Sequence, residues 1–301
     1  MSTDIALIVG GVEYPMNDEN PFFVNAWDGL GLLPLERLAQ AGALQDGDTD
    51  LGVRWRPRLF SVTFGISYSC AIADRIRARR LLLQRLAPRI CPLALRFTFD
   101  YGLPGAVSYQ IDCYTISEPG AVNADDVHGL SLIPVRFKAS DPSFYDPDRN
   151  VVVFALTAPL GGMPVLTPVP TPIGASDLND TQAITYAGDV RDFPQLRIIG
   201  PIKNCVITNT TTGEKLDFTG YTIGPGDWLD IDCRYASKSV NDAAGNNRLY
   251  ALTDDSDLST FHLAPSETGA VTQVNIFTVT GSGVTAGTAV TLWYYDRFSG
   301  I

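Results

Sequence analysis

An alternation of apolar and polar residues runs through most of this chain, and one stretch with helical spacing interrupts it. Residues 60–68 and 95–101 each alternate with the two-residue period of a half-buried strand. Between them, apolar residues recur at helical spacing, which predicts a helix over about residues 70–87. The predicted apolar side of this helix comprises Ile72, Ile76, Leu83 and Leu86, and Leu81 and Leu82 widen it. The pattern favours an all-β protein with one notable helix.

Shorter patterns extend this assignment on both sides of the helical stretch. Strands are predicted at residues 5–9, 108–116, 131–139 and 151–156, whereas residues 34–39 are predicted to form a helical turn. From residue 182 onward, strands follow one another roughly every ten residues with turn residues between them. That spacing predicts one compact antiparallel β-sandwich in the second half of the chain.

Two Asp-Pro pairs separate these halves. Proline lacks a backbone N–H and restricts the residue before it, so neither pair fits inside a strand. We therefore predict two domains, residues 1–147 and 148–301, with the prolines fixing the angle between them. The junction residues are Asp141, Pro142, Asp146 and Pro147.

Composition narrows the class of protein. Of the 301 residues, 45% are apolar and 18% are charged, so the chain has enough apolar surface to form folded cores. The net charge of −11 predicts no stable binding to nucleic acid or to anionic membranes. Five widely spaced cysteines without a C-x-x-C pair indicate buried free thiols rather than a metal site. With no apparent signal peptide, we expect synthesis in a cytoplasm and no cofactor.

Arginine is concentrated in and just before the predicted helix of this acidic chain. The helix carries Arg75, Arg77, Arg79, Arg80 and Arg85, and the segment before it carries Arg54, Arg56 and Arg58. Arginine suits packed, hydrogen-bonded interfaces, so this region is a candidate partner surface, although a solvated helix face has the same pattern. The polar run Gln45–Asp50 is either a flexible arm or a loop that becomes ordered on a neighbour.

The residues give no positive evidence of catalysis. Only two histidines are present, His128 and His262, and no G-x-S-x-G motif accompanies them. The acidic cluster at residues 254–257 lacks the glycine and closing glutamate of an EF-hand loop, which favours a solvated turn. We expect a protein that is not an enzyme.

One strand suggests a second kind of function. Asp230 and Asp232 alternate on one face of a predicted strand, and Trp228 and Trp293 are available for stacking against a sugar ring. These four residues are candidate glycan contacts, although core and rim packing explains the tryptophans as well. A carbohydrate-binding module that contacts a host-surface glycan is therefore the alternative function.

Several short motifs, taken in their order along the chain, resemble the distal tail proteins of long, non-contractile bacteriophage tails. The resemblance covers most of the chain and is weakest over the first fifty or so residues. The motifs are Gln45–Asp48, Arg56–Phe60, Leu83–Leu86, Val135–Tyr145, Gly188–Asp189, Phe193–Pro201, Asn209–Gly213 and Ile223–Asp227.

This resemblance implies a structural virion protein at the distal end of the tail. Family members form a homohexameric ring in which an N-terminal β-sandwich domain, the belt, closes the ring and a C-terminal galectin-like β-sandwich projects outward. The implied partners are the tail tube protein on one side and the tail hub, the tape-measure protein or fibres on the other, around a channel for DNA. We expect Arg75, Arg77, Arg79 and Arg80 to lie at the subunit interface.

Overall fold

The structure is a computed structural model, and it confirms an almost entirely β protein with one α-helix among its described residues. The described ranges are residues 2–17, 21–43, 46–67, 72–87, 92–100, 105–116, 131–156, 176–235 and 237–301. The chain divides into two compact units, which we call the first unit (residues 1–147 and 298–301) and the second unit (residues 148–297). The last four residues thus group with the first unit, whereas the sequence analysis placed them in the second domain.

The first unit is a large antiparallel sheet with a helix and a separate hairpin. Its elements are β1 Ser2–Val9, β2 Val12–Pro15, β3 Phe22–Asp28, β4 Leu35–Gln40, β5 Thr49–Trp55, β6 Arg58–Ile66, α1 Ile72–Leu86, β7 Leu93–Asp100, β8 Val107–Thr115, β9 Ser131–Ala139 and β10 Phe144–Tyr145. Strands follow the order β2-β1-β7-β8-β9-β6-β3, with β10 beside β8. Among the described residues, β4 pairs only with β5, in a two-stranded sheet of its own.

The core of the first unit comes from the alternation seen in the sequence. Phe60, Val62 and Phe64 of β6 are buried, and Phe60 stacks on Phe137 of β9 with ring centroids 5.3 Å apart. Because successive side chains of a strand point to opposite faces, every second residue of each central strand enters this core.

Helix α1 begins within the predicted range, and residues 70 and 71 lie outside the described residues. Its buried side chains are Ala78, Leu82 and Leu86, spaced four residues apart. The predicted apolar side is confirmed at Leu82 and wrong at Ile76 and Leu81, which are 64% and 41% exposed. Two residues separate Ile76 from Ala78, a rotation of about 200° around the helix axis, so the two side chains point in opposite directions.

The predicted helical turn at residues 34–39 is wrong as well. Residues 35–40 form strand β4, which pairs with β5 from Leu35 opposite Trp55 to Gln40 opposite Thr49. Pairing with a strand further along the chain decides the conformation of so short a segment, and local composition does not reveal that partner.

Arg58 was grouped with surface arginines in the sequence analysis, but its side chain is 1% exposed and lies inside the first unit. Its guanidinium donates to the carbonyl oxygens of Gly29 at 2.9 Å, Gly31 at 2.7 Å, Pro142 at 2.8 Å and Ser299 at 2.6 Å. It also lies 4.9 Å from the ring centroid of Phe144.

Three distant segments therefore share one cation, and no carboxylate takes part in the hydrogen bonds described for it. Gly29 adds to this packing, because its φ is +84° and a Cβ there would lie 2.8 Å from the carbonyl oxygen of Leu59. A side chain at residue 29 would be strained both by φ and by contact. The loop before β4 is consequently held close to the start of β6.

The second unit is a sandwich of two antiparallel sheets. Its elements are β11 Asn150–Ala155, β12 Ser176–Tyr186, β13 Gln195–Ile199, β14 Ile202–Asn209, β15 Glu214–Asp217, β16 Thr222–Ile223, β17 Trp228–Asp232, β18 Ser239–Asp242, a 3-10 turn Leu249–Ala251, β19 Gln273–Val284 and β20 Ala289–Tyr294. The short strand β21 Arg297–Phe298 spans the boundary, and its Phe298 belongs to the first unit. One sheet has the order β11-β20-β13-β17-β18, and the other has β12-β19-β14-β15 with β16 beside β14.

A continuous apolar core fills the space between these sheets. Ile198, Leu229 and Leu292 enter it from one sheet and Ile207 and Phe277 from the other. Cys205 and Cys233 are buried free thiols in the same core, as predicted, and Cys113 is a buried free thiol in the first unit. Burial raises the pKa of Cys205 to about 12, so this thiol stays protonated and unreactive at neutral pH. Cys70 and Cys91 lie outside the described residues.

A buried ion pair fastens the last strand segment of the second unit. Asp192, 1% exposed, accepts from the guanidinium of Arg297 and from the backbone N–H of Tyr295 at 3.0 Å. Arg297 in turn accepts, at its carbonyl, hydrogen bonds from the N–H groups of Asp189 and Val190. The loop after β12 and the segment after β20 are thus joined by both side-chain and backbone contacts.

We expect Arg58→Met to lower the free energy of unfolding of the first unit by about 3 to 5 kcal/mol, because four carbonyl groups lose a charged donor. The matched control, Arg54→Met, removes an arginine from an exposed ion pair and is expected to cost less than about 1 kcal/mol. Chemical denaturation followed by tryptophan fluorescence measures both. Equal losses in the two variants would contradict the role given to Arg58.

A second pair of variants compares a buried ion pair with an exposed one. Asp192→Ala leaves Arg297 buried without its carboxylate and is expected to cost about 3 to 5 kcal/mol of stability in the second unit. Asp230→Ala breaks the exposed pair with Arg197 and is expected to cost about 1 kcal/mol or less. Calorimetry distinguishes the two, and a small loss for Asp192→Ala would show that the burial of the pair has little effect on stability.

Candidate docking surfaces

The hairpin formed by β4 and β5, which we call the hairpin arm (residues 35–55), is exposed on both faces. Every residue of β5 is exposed, and Glu36 alone in β4 is partly covered. Its exposed large apolar side chains are Leu35, Leu38, Leu51, Val53 and Trp55. A lone two-stranded hairpin is marginally stable in water, so an arm of this composition is expected to pack on a partner.

Ion pairs hold the two strands of the arm in register. Glu36 accepts from Arg54 at 2.6 Å and from Arg56, and Arg37 donates to Asp50 at 3.0 Å. Hydrogen bonds from Arg56 and then Arg54 lower the pKa of Glu36 to about 2. The carboxylate therefore stays ionised, and the ion cluster is retained, until the pH falls towards that value.

More apolar surface adjoins the arm in the sequence. Leu32, in the loop before β4, is 85% exposed, and Leu59, at the start of β6, is 63% exposed. Trp27 at the end of β3 is also exposed. Exposed apolar side chains in such number are typical of a protein–protein contact rather than of a solvated surface.

Helix α1 divides the predicted interface arginines into two kinds. Arg75 and Arg79 are half-buried and interact within the chain, whereas Arg77 and Arg80 are exposed. Arg77 lies 3.3 Å from Asp74, a solvent-exposed pair of little energetic weight. The solvent side of the helix, which we call its outward face, consists of Ile76, Arg77, Arg80, Leu81 and Gln84.

The fifth helix arginine has a structural role. The Arg85 guanidinium lies 3.9 Å from the ring centroid of Tyr14 and 5.7 Å from that of Phe22. Burial lowers the pKa of Arg85 from its usual value, but the group remains a cation at any physiological pH. This arginine packs the helix against aromatic side chains and is not available to a partner in the way that Arg80 is.

The predicted junction residues lie on the two sides of the short strand β10. The Asp141 carboxylate accepts from the N–H of Ser143 at 3.2 Å and from its hydroxyl at 2.6 Å, and the Pro142 carbonyl accepts from Arg58. Asp146 and Pro147 follow at the end of the first unit. Whether these residues set an angle between domains stays a prediction.

The four candidate glycan contacts lie on one face of one sheet. Trp228, Asp230 and Asp232 alternate along β17, and the register through β13 places Gln195 between Asp232 and Trp293 of β20. Both indole rings have a guanidinium above them, Arg197 at 5.3 Å from Trp228 and Arg149 at 4.8 Å from Trp293.

The carboxylates on this face are already hydrogen-bonded. Asp230 accepts two bonds from Arg197, at 2.6 and 2.8 Å, and Asp232 accepts from Gln195 at 2.9 Å and from Arg234 at 2.6 Å. A sugar would have to displace guanidinium groups to reach the rings, so glycan binding stays a prediction.

No constellation of catalytic groups is found among the described residues. His262 Nδ1 lies 2.9 Å from a Glu214 carboxylate oxygen and 2.8 Å from the Thr260 carbonyl, which are structural contacts within the second unit. His128 lies outside the described residues. In the described ranges, no three His, Cys, Asp or Glu side chains are placed to hold a metal ion. None of the helices there is long and apolar enough to cross a membrane.

A solved structure of a phage hub protein shares this fold. The chain is similar to the crystal structure of the SPP1 Dit (gp 19.1) protein, described as a paradigm of the hub adsorption apparatus in phages that infect Gram-positive bacteria, with a TM-score of 0.62 and 13% sequence identity over 98% of this chain and 99% of that chain. It is also similar to a chain of the phage P2 baseplate in its activated conformation with Ca, with 9% identity and a TM-score of 0.48 over 98% of each chain. The comparison with the activated p2 baseplate with Sr gives 8% identity and a TM-score of 0.43 over 93% of this chain and 98% of that chain.

No protein-family model and no curated protein sequence matches the chain. The SPP1 Dit comparison confirms, at the level of the fold, the resemblance to distal tail proteins found in the motifs. Identity this low extends no further than the fold, so function has to be argued from the surfaces.

Proposed function

We propose that this protein is a structural component of a bacteriophage tail tip. Six copies form a ring in which the first unit makes the contacts between subunits and the second unit, a galectin-like sandwich, projects outward. The ring joins the tail tube to the hub, fibre or receptor-binding proteins and leaves a channel for DNA. The observation that carries this proposal is the fold shared with SPP1 Dit over nearly the full length of both chains.

The hairpin arm supports the self-association part of the proposal. In a single copy its apolar side chains face solvent on both sides, and Trp55 and Leu51 are 40% and 60% exposed. Covering them in an assembly removes that apolar surface from water and stabilises the arm at the same time. A chain that hides these residues only by associating is suited to a permanent ring.

The charge balance supports the channel. A net charge of −11 per subunit gives an assembly whose surface repels a polyanion, so DNA passes without being retained. The roles assigned here are geometric, namely closing a ring, holding the tube protein on one side and holding the hub or tape-measure protein on the other. None of them needs a cofactor or catalytic group, and the mature protein is placed in the virion after synthesis in the host cytoplasm.

Light scattering of the purified protein, with negative-stain images of the same sample, tests the ring. We expect particles of about six times 32.6 kDa with a central opening, at least at high protein concentration or with the tail tube protein added. A strict monomer under both conditions would contradict the proposed function. A ring of another stoichiometry would retain the tail-tip role and correct the symmetry.

A carbohydrate-binding function is the second candidate, because the register brings Trp228, Asp230, Asp232 and Trp293 to one sheet face. If it is right, the protein binds a host-wall glycan on an array, and Trp228→Ala or Trp293→Ala lowers the affinity at least about tenfold. Tyr250→Ala, which removes another exposed aromatic ring, is the matched control. Array binding that is absent, or unchanged in both tryptophan variants, would remove this candidate.

A further inference from the structure

We infer that the tip of the hairpin arm of one copy docks on the outward face of helix α1 of the next copy. This inference rests on the proposed ring and specifies which two surfaces form each contact between neighbouring subunits. It follows from three features of the first unit: the chemistry of the arm tip, the chemistry of the helix face and the matching length of the two elements.

The tip of the arm is acidic and apolar. Asp46 and Asp48 are exposed and have no ion-pair partner among the described residues, whereas Asp50 is paired with Arg37. Leu38 and Leu51, near the same end of the arm, are also exposed. Two free carboxylates beside leucines suit a partner surface that is basic and apolar.

The outward face of α1 has the complementary composition. Arg80 is exposed and has no carboxylate partner in the described part of the chain, and Arg77 has a long contact with Asp74. Ile76 and Leu81 are 64% and 41% exposed on the same side of the helix. In a chain with a net charge of −11, this face stands out as a basic surface flanked by large apolar side chains.

The two elements also match in length. Strands of six and seven residues, as in β4 and β5, extend about 20 Å at 3.3 Å per residue. The 15 residues of α1 span about 22 Å at 1.5 Å per residue. An arm laid along the helix can therefore bring its apolar side chains against Ile76 and Leu81, which lie about 7.5 Å apart along the helix axis.

Charge disfavours contacts between like surfaces. A two-fold contact of arm tip against arm tip would place Asp46 and Asp48 beside their own copies, and helix against helix would do the same to Arg77 and Arg80. A head-to-tail contact brings opposite charges together and uses a different surface on each side of the subunit. A reciprocal two-fold contact of arm on helix would also pair opposite charges, but it stops at two copies. The proposed ring therefore requires the head-to-tail form, which closes where the rotation between subunits allows it. The charges fix the register and the choice of partner, and the apolar side chains supply most of the affinity.

Charge reversal with rescue tests the contact. The tip variant is Asp46→Lys with Asp48→Lys, the helix variant is Arg77→Glu with Arg80→Glu, and the rescue variant combines all four changes. A control, Asp254→Lys with Glu267→Lys, makes the same change in net charge as the tip variant at exposed positions of the second unit. Sedimentation velocity at low and high salt measures the concentration at which each chain assembles, and circular dichroism verifies folding.

We expect the tip and helix variants each to need at least about tenfold more protein to assemble than the wild type, because like charges then face each other. The rescue variant should return to within about threefold of the wild type, and the control should assemble normally. This contact would be overturned if the wild type forms rings and the tip and helix variants assemble as well as it does. It would also be overturned if the combined changes do not restore assembly. Either result would leave the tail-tip function. A wild-type chain that never assembles would overturn the ring and this contact together.

Discussion

The rest of the first unit depends on the hydrogen bonds that the guanidinium of Arg58 donates. This group donates to carbonyl oxygens in the loop before β4, in the turn at Pro142 and in the last residues of the chain. A buried carbonyl group without a hydrogen-bond donor lowers the stability of the fold. The Arg58 side chain supplies donors to carbonyl groups of several segments that lie outside the strands. Because both ends of the hairpin arm, near Leu33 and Arg56, adjoin this cluster in sequence, the arm projects from a fixed base.

A rigid base and an exposed arm have different energetic roles. The buried core of β6, β7 and β9 stabilises the single subunit, whereas the side chains of the arm have little packing within it. The ion pairs of Glu36 hold its strands together in the meantime, since their pairing needs no partner molecule. The proposed ring needs this division, because each subunit then folds alone and gains stability when it associates.

The sequence predicts those parts of the structure in which a local pattern and its burial coincide. Residues 131–139 were predicted as a strand and form β9, and the alternation of Asp230 and Asp232 against Leu229 and Ile231 was read correctly. Failures occur where a distant segment decides the outcome. Residues 34–39 became a strand because β5 pairs with them, and Arg58 is buried because loops far apart in sequence converge on it.

The sequence is also a poor guide to the docking surfaces, because exposure there depends on contacts with distant segments. The period-two run Leu51, Val53 and Trp55 was available as a strand signal, but nothing local indicates that all three side chains remain exposed. Likewise, the arginine density of α1 indicated a surface without separating exposed Arg77 and Arg80 from half-buried Arg75 and Arg79. Only the position of the buried stripe at Ala78, Leu82 and Leu86 makes that distinction.

The most direct test of the central claim is an electron cryomicroscopy reconstruction of the tail tip of particles that contain this chain. The proposed function predicts a sixfold ring at the end of the tail tube, with the first unit around the central channel and the hairpin arm of each subunit lying on α1 of its neighbour. Density for this protein elsewhere in the particle, or a tail tip that lacks it altogether, would contradict the account.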